Sequence, residues 1–206
     1  MLRAQNRAGS GPGVGAVHTV YMANTEHSAG VLLAAGAGVR YGMPKVLAAQ
    51  GKWLRAAVAA LFGGGCADVV VVLGAAVVDV PAPARAVVAD DWQDGMGFSL
   101  RAGLAAIPGA DYAVILTVDT PDIGADVVGR VLAAARTAPS GIARATYDGR
   151  PGHPVVVART HWPALRETLR GDEGARRFLA GRPDVVAVDC ADLATGRDID
   201  TPTPSD

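Results

Sequence analysis

Arg40 and Lys45 are the side chains whose type and spacing most clearly set up chemistry, because they stand in a loop with three glycines, within VLLAAGAGVRYGMPK at residues 31–45. Gly36, Gly38 and Gly42 permit positive φ and carry no Cβ, so successive backbone N–H groups can converge on an anion. Arg40 offers a planar fork for phosphate oxygens, and Lys45 a point charge on a long stem. Pro44 holds the backbone extended just before the lysine. A phosphate chain is the ligand such a loop suits, and a glycine-rich turn without a ligand is the plainer alternative. The spacing is GxGxxxG, which is neither the GxGxxG of a dinucleotide fold nor the GxxxxGK[ST] of a Walker loop.

An element must hold this loop in place. Residues 31–35 are all apolar or small, as in a parallel-sheet strand covered on both faces. From about Lys52, Trp53, Ala57, Leu61 and Phe62 recur at helical spacing, and glycines 63–65 stop the helix. Strands are expected at 69–73 and 87–89, with Pro81 and Pro83 excluding a continuous element between them. In DDWQDGMGFSLRAGL, residues 90–104, two glycines precede Ser99, which can open a helix carrying Leu100, Leu104 and Ile107. Ser99 is then either a plain cap or part of an anion-contacting helix end.

The most strongly β-like run, residues 112–118, delivers Asp119 to its C-terminal end, where ligands bind in open parallel sheets. A carboxylate there suits a hard cation such as Mg2+. The competing reading makes Asp119 or Asp122 the cap of a helix over 125–136. A strand at 142–147, a sharp turn over 148–154 and another apolar strand follow. His153 sits in that turn, where a lone histidine is more often a packing residue than a catalytic one. Residues 162–169 and 174–179 read as helical, and 185–188 as the last strand. Arg176 and Arg177 fit either an anion contact or a solvated basic face.

The whole chain sets bounds. Its 206 residues suit one α/β domain with a substantial core. Half are hydrophobic and few aromatic, as for a helix and sheet core of small side chains. A formal net charge of −1 argues against broad attraction to nucleic acid, so any anion site must be local. Cys66 and Cys190 have no metal or disulfide spacing, pointing to a reducing cytoplasm. No apolar run reaches transmembrane length, and the first thirty residues lack a signal-peptide segment. Residues 1–29 read as a mobile extension, with Met22 a candidate natural start, and 30–206 as the domain.

LAAGAGVRYGMPK closely resembles the LAAGxGxRxGxxK signature of the nucleotidyltransferases that include the MobA-like and MocA-like molybdenum-cofactor enzymes. The resemblance implies a Rossmann-like, three-layer α/β fold with a mostly parallel central sheet. It also implies a nucleoside triphosphate held with Mg2+ and transfer of its monophosphate to a phosphorylated acceptor. Leu33, Ala34, Ala35, Gly36, Ala37, Gly38, Arg40 and Lys45 become nucleotide-binding, with Arg40 and Lys45 catalytic. GMGxSLRxGL is similar to a segment along the nucleotide pocket of cytidylyltransferase relatives, which adds Gly97 and Ser99. Asp119 matches the family's metal aspartate of DxP type, although Thr120 stands where methionine or glutamine is commoner. RDIDTP resembles the DxDTP segment and makes Asp200 the partner of Asp119, with Asp198 second. GRPGHPV and GDEGAR resemble segments near the acceptor, which brings in His153 and Arg176. LAAG rather than LAGG leans toward CTP, and the acceptor implied is molybdopterin, with a molybdoenzyme as a further partner. Guanylyl or sugar-phosphate transfer, and a noncatalytic molybdenum-cofactor chaperone, are the alternatives. The two aspartates favour catalysis over the chaperone.

Overall fold

Apolar runs that lack polar alternation form the middle of the sheet, and the half-polar ones form its margins. The computed structural model describes residues 26–201. Its elements in order are β1 (Ser28–Leu33), α1 (Ala48–Gly63), β2 (Asp68–Leu73), β3 (Arg85–Val88), α2 (Met96–Ala105) and β4 (Tyr112–Thr117), followed by α3 (Ala125–Thr137), β5 (Ile142–Tyr147), β6 (Arg150–Ala158), α4 (Trp162–Thr168), α5 (Arg176–Leu179) and β7 (Val186–Asp189). The strands make one sheet in the order β3-β2-β1-β4-β6-β5-β7. Pairing is parallel throughout except at β6, which runs antiparallel to both β4 and β5.

Both faces of the central strands are covered, and successive residues alternate between two cores as period-two geometry requires. Leu32, Val71, Leu73, Val114 and Leu116 meet α1 and α3, while Val31, Leu33, Val70, Val72 and Ile115 meet α2, α4 and α5. The result is a three-layer, Rossmann-like α/β fold. Truncating one of these leucines to alanine costs about 2–5 kcal/mol, so β1 and β4 are rigid mounts for whatever their C-terminal ends carry. Among the described residues no helix is long and apolar enough to cross a membrane.

Several expected boundaries move, each for a local reason. β1 starts at Ser28, where Ser28 and Ala29 already pair with β4 and are buried. They are therefore core, not extension. Residues 1–25, with the candidate start Met22, lie outside the described residues. Ala49, Gln50 and Gly51 have left-handed φ within the first turn of α1, so its regular helix begins at Lys52. The sharp turn expected over 148–154 is confined to Asp148 and Gly149, both at positive φ. β6 then pairs from Arg150, opposite Tyr147, with an irregularity between Arg144 and Thr146. Ser99 is no cap: α2 starts at Met96 behind Gly95, which leaves Ser99 buried inside the helix.

Candidate active site

The glycine loop leaves the end of β1 and turns back over it. Gly42 N–H donates to the Gly38 carbonyl at 2.8 Å, closing a turn that holds Arg40 and Tyr41. Gly38 has φ +60, and a Cβ there would overlap the Met43 carbonyl oxygen. Only glycine fits without strain. Gly36 differs, because a Cβ at that position would meet nothing within 4 Å. The open space beside it is a cavity of about 460 Å3, bounded by residues 33–41 and by Lys45, Trp92, Met96, Ser99, Asp119 and Asp200. Leu33, Ala34, Ala35, Gly36, Ala37, Gly38, Arg40, Lys45 and Ser99 thus share one wall system. Gly97 does not join them. It is a packing glycine, since a Cβ there would press within 2.8 Å of the Arg170 backbone nitrogen.

At the floor, Lys45 Nζ donates to Asp119 Oδ2 at 3.0 Å and to Asp200 Oδ1 at 2.8 Å. Arg40 Nη1 reaches the other Asp200 oxygen at 2.9 Å, from a side chain that is 77% exposed. Burial pulls the Lys45 pKa down, but the two carboxylates outweigh it and hold the ammonium above its ordinary value. The Lys45 hydrogen bond, with the charges of Lys45 and Arg40, holds the Asp200 carboxyl below the usual range against a smaller opposing effect of burial. Lys45 is therefore a resident cation between two carboxylates separated by 81 places in sequence (119 to 200).

The C-terminal segment is brought there by backbone and side-chain anchors. Ile199 N–H donates to the Asp119 carbonyl at 2.9 Å. Asp122 accepts from the backbone N–H and hydroxyl of Thr195 at 2.7 and 2.6 Å, and from Gly196 N–H at 3.2 Å. Asp122 is thus a clasp for the tail, and α3 is preceded by Gly124 without a side-chain cap. Thr120 turns its hydroxyl to the Thr117 carbonyl at 3.0 Å.

Asp119 Oδ1 is buried and has no hydrogen-bond partner among the described residues. An orphaned carboxylate oxygen is costly unless a donor or cation completes it. Among the described residues no group of three or more His, Cys, Asp or Glu side chains could hold a metal. Asp119 and Asp200 form a two-carboxylate donor set, which fits a cation that shares its remaining positions with water and phosphate oxygens.

A second cleft of about 470 Å3 opens on the other side of Asp119, with His153, Arg176, Arg144 and Asp198 on its walls. Both predicted acceptor residues, His153 and Arg176, therefore fall together, next to the nucleotide-type cavity but outside it. Burial lowers the His153 pKa, offset in part by a contact of its Nδ1 with the Ile115 carbonyl at 3.4 Å. Sequence reasoning missed Arg144. Its signal was a lone charge on the strand face that also carries Ile142, a position that periodicity alone assigns to the core.

A mostly parallel sheet whose first strand runs into a glycine loop, facing an aspartate at the end of β4, is an arrangement in which α/β folds seat phosphate-bearing ligands. The chain belongs to the MobA-like NTP transferase domain family, whose model matches residues 30–187. It is 42% identical over 188 residues to nicotine blue oxidoreductase of Paenarthrobacter nicotinovorans, covering 84% of this chain and 91% of that one. It is 35% identical over 123 residues to the purine catabolism protein PucB of Bacillus subtilis, or 58% of each chain. The crystal structure of Rv0371c from Mycobacterium tuberculosis aligns with TM-score 0.68 and 27% identity over 85% of this chain and 94% of that one. A second structure of Rv0371c, in complex with manganese, aligns with TM-score 0.64 and 26% identity, covering 84% and 94%.

Proposed function

We propose that this enzyme transfers a nucleoside monophosphate, CMP from CTP, to a phosphorylated acceptor, molybdopterin, with release of pyrophosphate. The observation that carries the reading is Lys45 between Asp119 and Asp200 at the floor of the glycine-loop cavity. The family's nucleotidyl chemistry supports it, and LAAG at residues 33–36 favours cytidine. Free, buried Cys66 and Cys190 suit the cytoplasm as its compartment.

In this reading the loop amides and Arg40 hold the β and γ phosphates. Lys45, released from its two carboxylates, neutralises charge at the α phosphate. The acceptor phosphate oxygen forms a bond to the α phosphorus as the bond to the bridging oxygen breaks, and pyrophosphate carries the electron pair away. The nucleophile is already anionic, so no side chain has to remove a proton. Alignment and preset charge supply the rate enhancement. Asp119 and Asp200 would hold a divalent cation, Mg2+ in this proposal, which when bound screens the triphosphate charge. That Rv0371c forms a complex with manganese supports a divalent ion here.

The test is pyrophosphate release with CTP, GTP, ATP or UTP, molybdopterin and Mg2+. Release with CTP is expected, and release with GTP alone overturns the cytidylyl assignment. The 42% identity to a protein named an oxidoreductase favours a second reading, in which the same loop holds the pyrophosphate of a dinucleotide that reduces a bound substrate. Substrate-dependent oxidation of NADH or NADPH, without pyrophosphate release, would select that reading.

A further inference from the structure

Lys45 occupies the position that a bridging cation would take between the two carboxylates of the glycine-loop cavity. Its one nitrogen lies 3.0 Å from Asp119 Oδ2 and 2.8 Å from Asp200 Oδ1. A divalent ion bound to the same two oxygens would sit about 2.0–2.6 Å from each, so Nζ and the ion exclude one another by space as well as by charge. The Lys45 side chain is 13% exposed, and its contacts are less screened than that of the exposed Arg40 on the remaining Asp200 oxygen. The ammonium is nonetheless an incomplete partner. Asp119 Oδ1 stays buried beside it without a hydrogen-bond partner among the described residues, a state that favours a cation with more coordination positions.

Charge then decides what can enter. Two cations face two carboxylates in this cluster. A divalent ion arriving alone meets Nζ in its seat. A triphosphate arriving alone would draw Lys45 onto itself and leave two bare carboxylates against a polyanion. Only the two together give every charge a new partner. We propose that Lys45 is a latch on the metal seat: its ammonium bars a divalent cation from Asp119 and Asp200 until a triphosphate draws it away, so that ion and nucleotide are taken up as a pair. Their affinities are then linked, each ligand strengthening the other. The inference rests on the nucleotidyl-transfer reading only for naming the triphosphate. The competition between Nζ and the ion stands on the two distances.

The test is titration of the full chain with Mn2+ in the absence of nucleotide, read by the EPR signal of the free ion and by the melting temperature. Lys45→Met should bind Mn2+ about tenfold or more tighter than wild type, the scale of one charge-assisted contact removed from the seat. Mn2+ should also raise the melting temperature of Lys45→Met and leave that of wild type unmoved. Adding Asp200→Asn to Lys45→Met should cancel the gain. Arg40→Gln removes a positive charge but leaves Nζ in place, and should gain a few-fold at most. Lys45→Gln repeats the comparison should Lys45→Met not fold without the ion. Equal Mn2+ affinity in wild type and the Lys45 variants, or an equal gain in Arg40→Gln, overturns the latch. Should the gain appear in a protein whose wild type releases no pyrophosphate with any triphosphate and acceptor, the reaction falls and the latch stands. No gain beside an active wild type has the opposite meaning.

Discussion

The two walls beside Asp119 treat their cations in opposite ways. In the glycine-loop cavity, Lys45 and Arg40 are already neutralised, by Asp119 and Asp200. In the β5–β6 cleft, Arg144 and Arg176 have no acidic partner among the described residues. In the proposed reaction the first wall exchanges partners, because its cations would have to leave carboxylates to meet phosphates. In the second, Arg144 has no carboxylate to leave. Substitutions in the first wall should therefore be felt in turnover.

Lys45→Ala gives the largest expected effect. Pyrophosphate release should fall on the order of 10²–10³-fold, the scale for removing one preset transition-state partner, while the melting temperature stays within a few degrees. A variant with wild-type turnover would show that Lys45 only tethers the tail. Next comes a contrast between two glycines in the same loop. Gly38→Ala should cost about 1–3 kcal/mol of stability, because its backbone is left-handed and its Cβ meets the Met43 carbonyl. Gly36→Ala should melt like wild type, since its Cβ meets no protein atom, yet raise the nucleotide KM about tenfold by projecting into the cavity. Equal melting losses would mean the space beside Gly36 is not a ligand seat.

The legibility of these walls in the sequence follows from the range of the forces that build them. β1, β4, α3 and β5 could be read within a few residues because apolar periodicity is a local property. The loop was legible because glycine spacing and nearby cations are also local. What could not be read was long-range. β6 running antiparallel between β4 and β5 depends on a two-residue turn that looked like a longer loop. Asp122 reads as a helix cap and instead clasps Thr195, a pairing 73 residues long. Gly97 looked like a ligand contact and is a spacer against Arg170, because a missing side chain looks the same in sequence whatever fills its place. The meeting of Asp119 with Asp200 came from the motif, and the reason for it, the Ile199 bond to the Asp119 carbonyl, is visible only in the fold.

The smallest expected effect concerns pH, and it isolates the ion cluster from its scaffold. A depressed carboxyl such as Asp200 contributes stability that is present above its unfolded pKa, about 3.9, and is lost as pH falls through its lower folded value. Lys45, held above its ordinary value, contributes fully below about pH 10.4 and loses that contribution only as pH rises through its folded value. Between these limits the cluster should be indifferent to pH. Hydrogen exchange at the Ile199 amide reports on it directly, since that N–H is bonded to the Asp119 carbonyl. At pH 6 wild type should protect this amide up to about fivefold better than Asp200→Asn, a modest gap because Asp200 is 35% exposed and its pair is screened. As the solution is taken below pH 3.9, protonation of Asp200 makes wild type resemble the asparagine variant, and the gap should close. The absence of a gap at pH 6 would assign the tail's hold to Asp122 and the backbone alone, leaving Lys45 free to exchange partners at no structural cost.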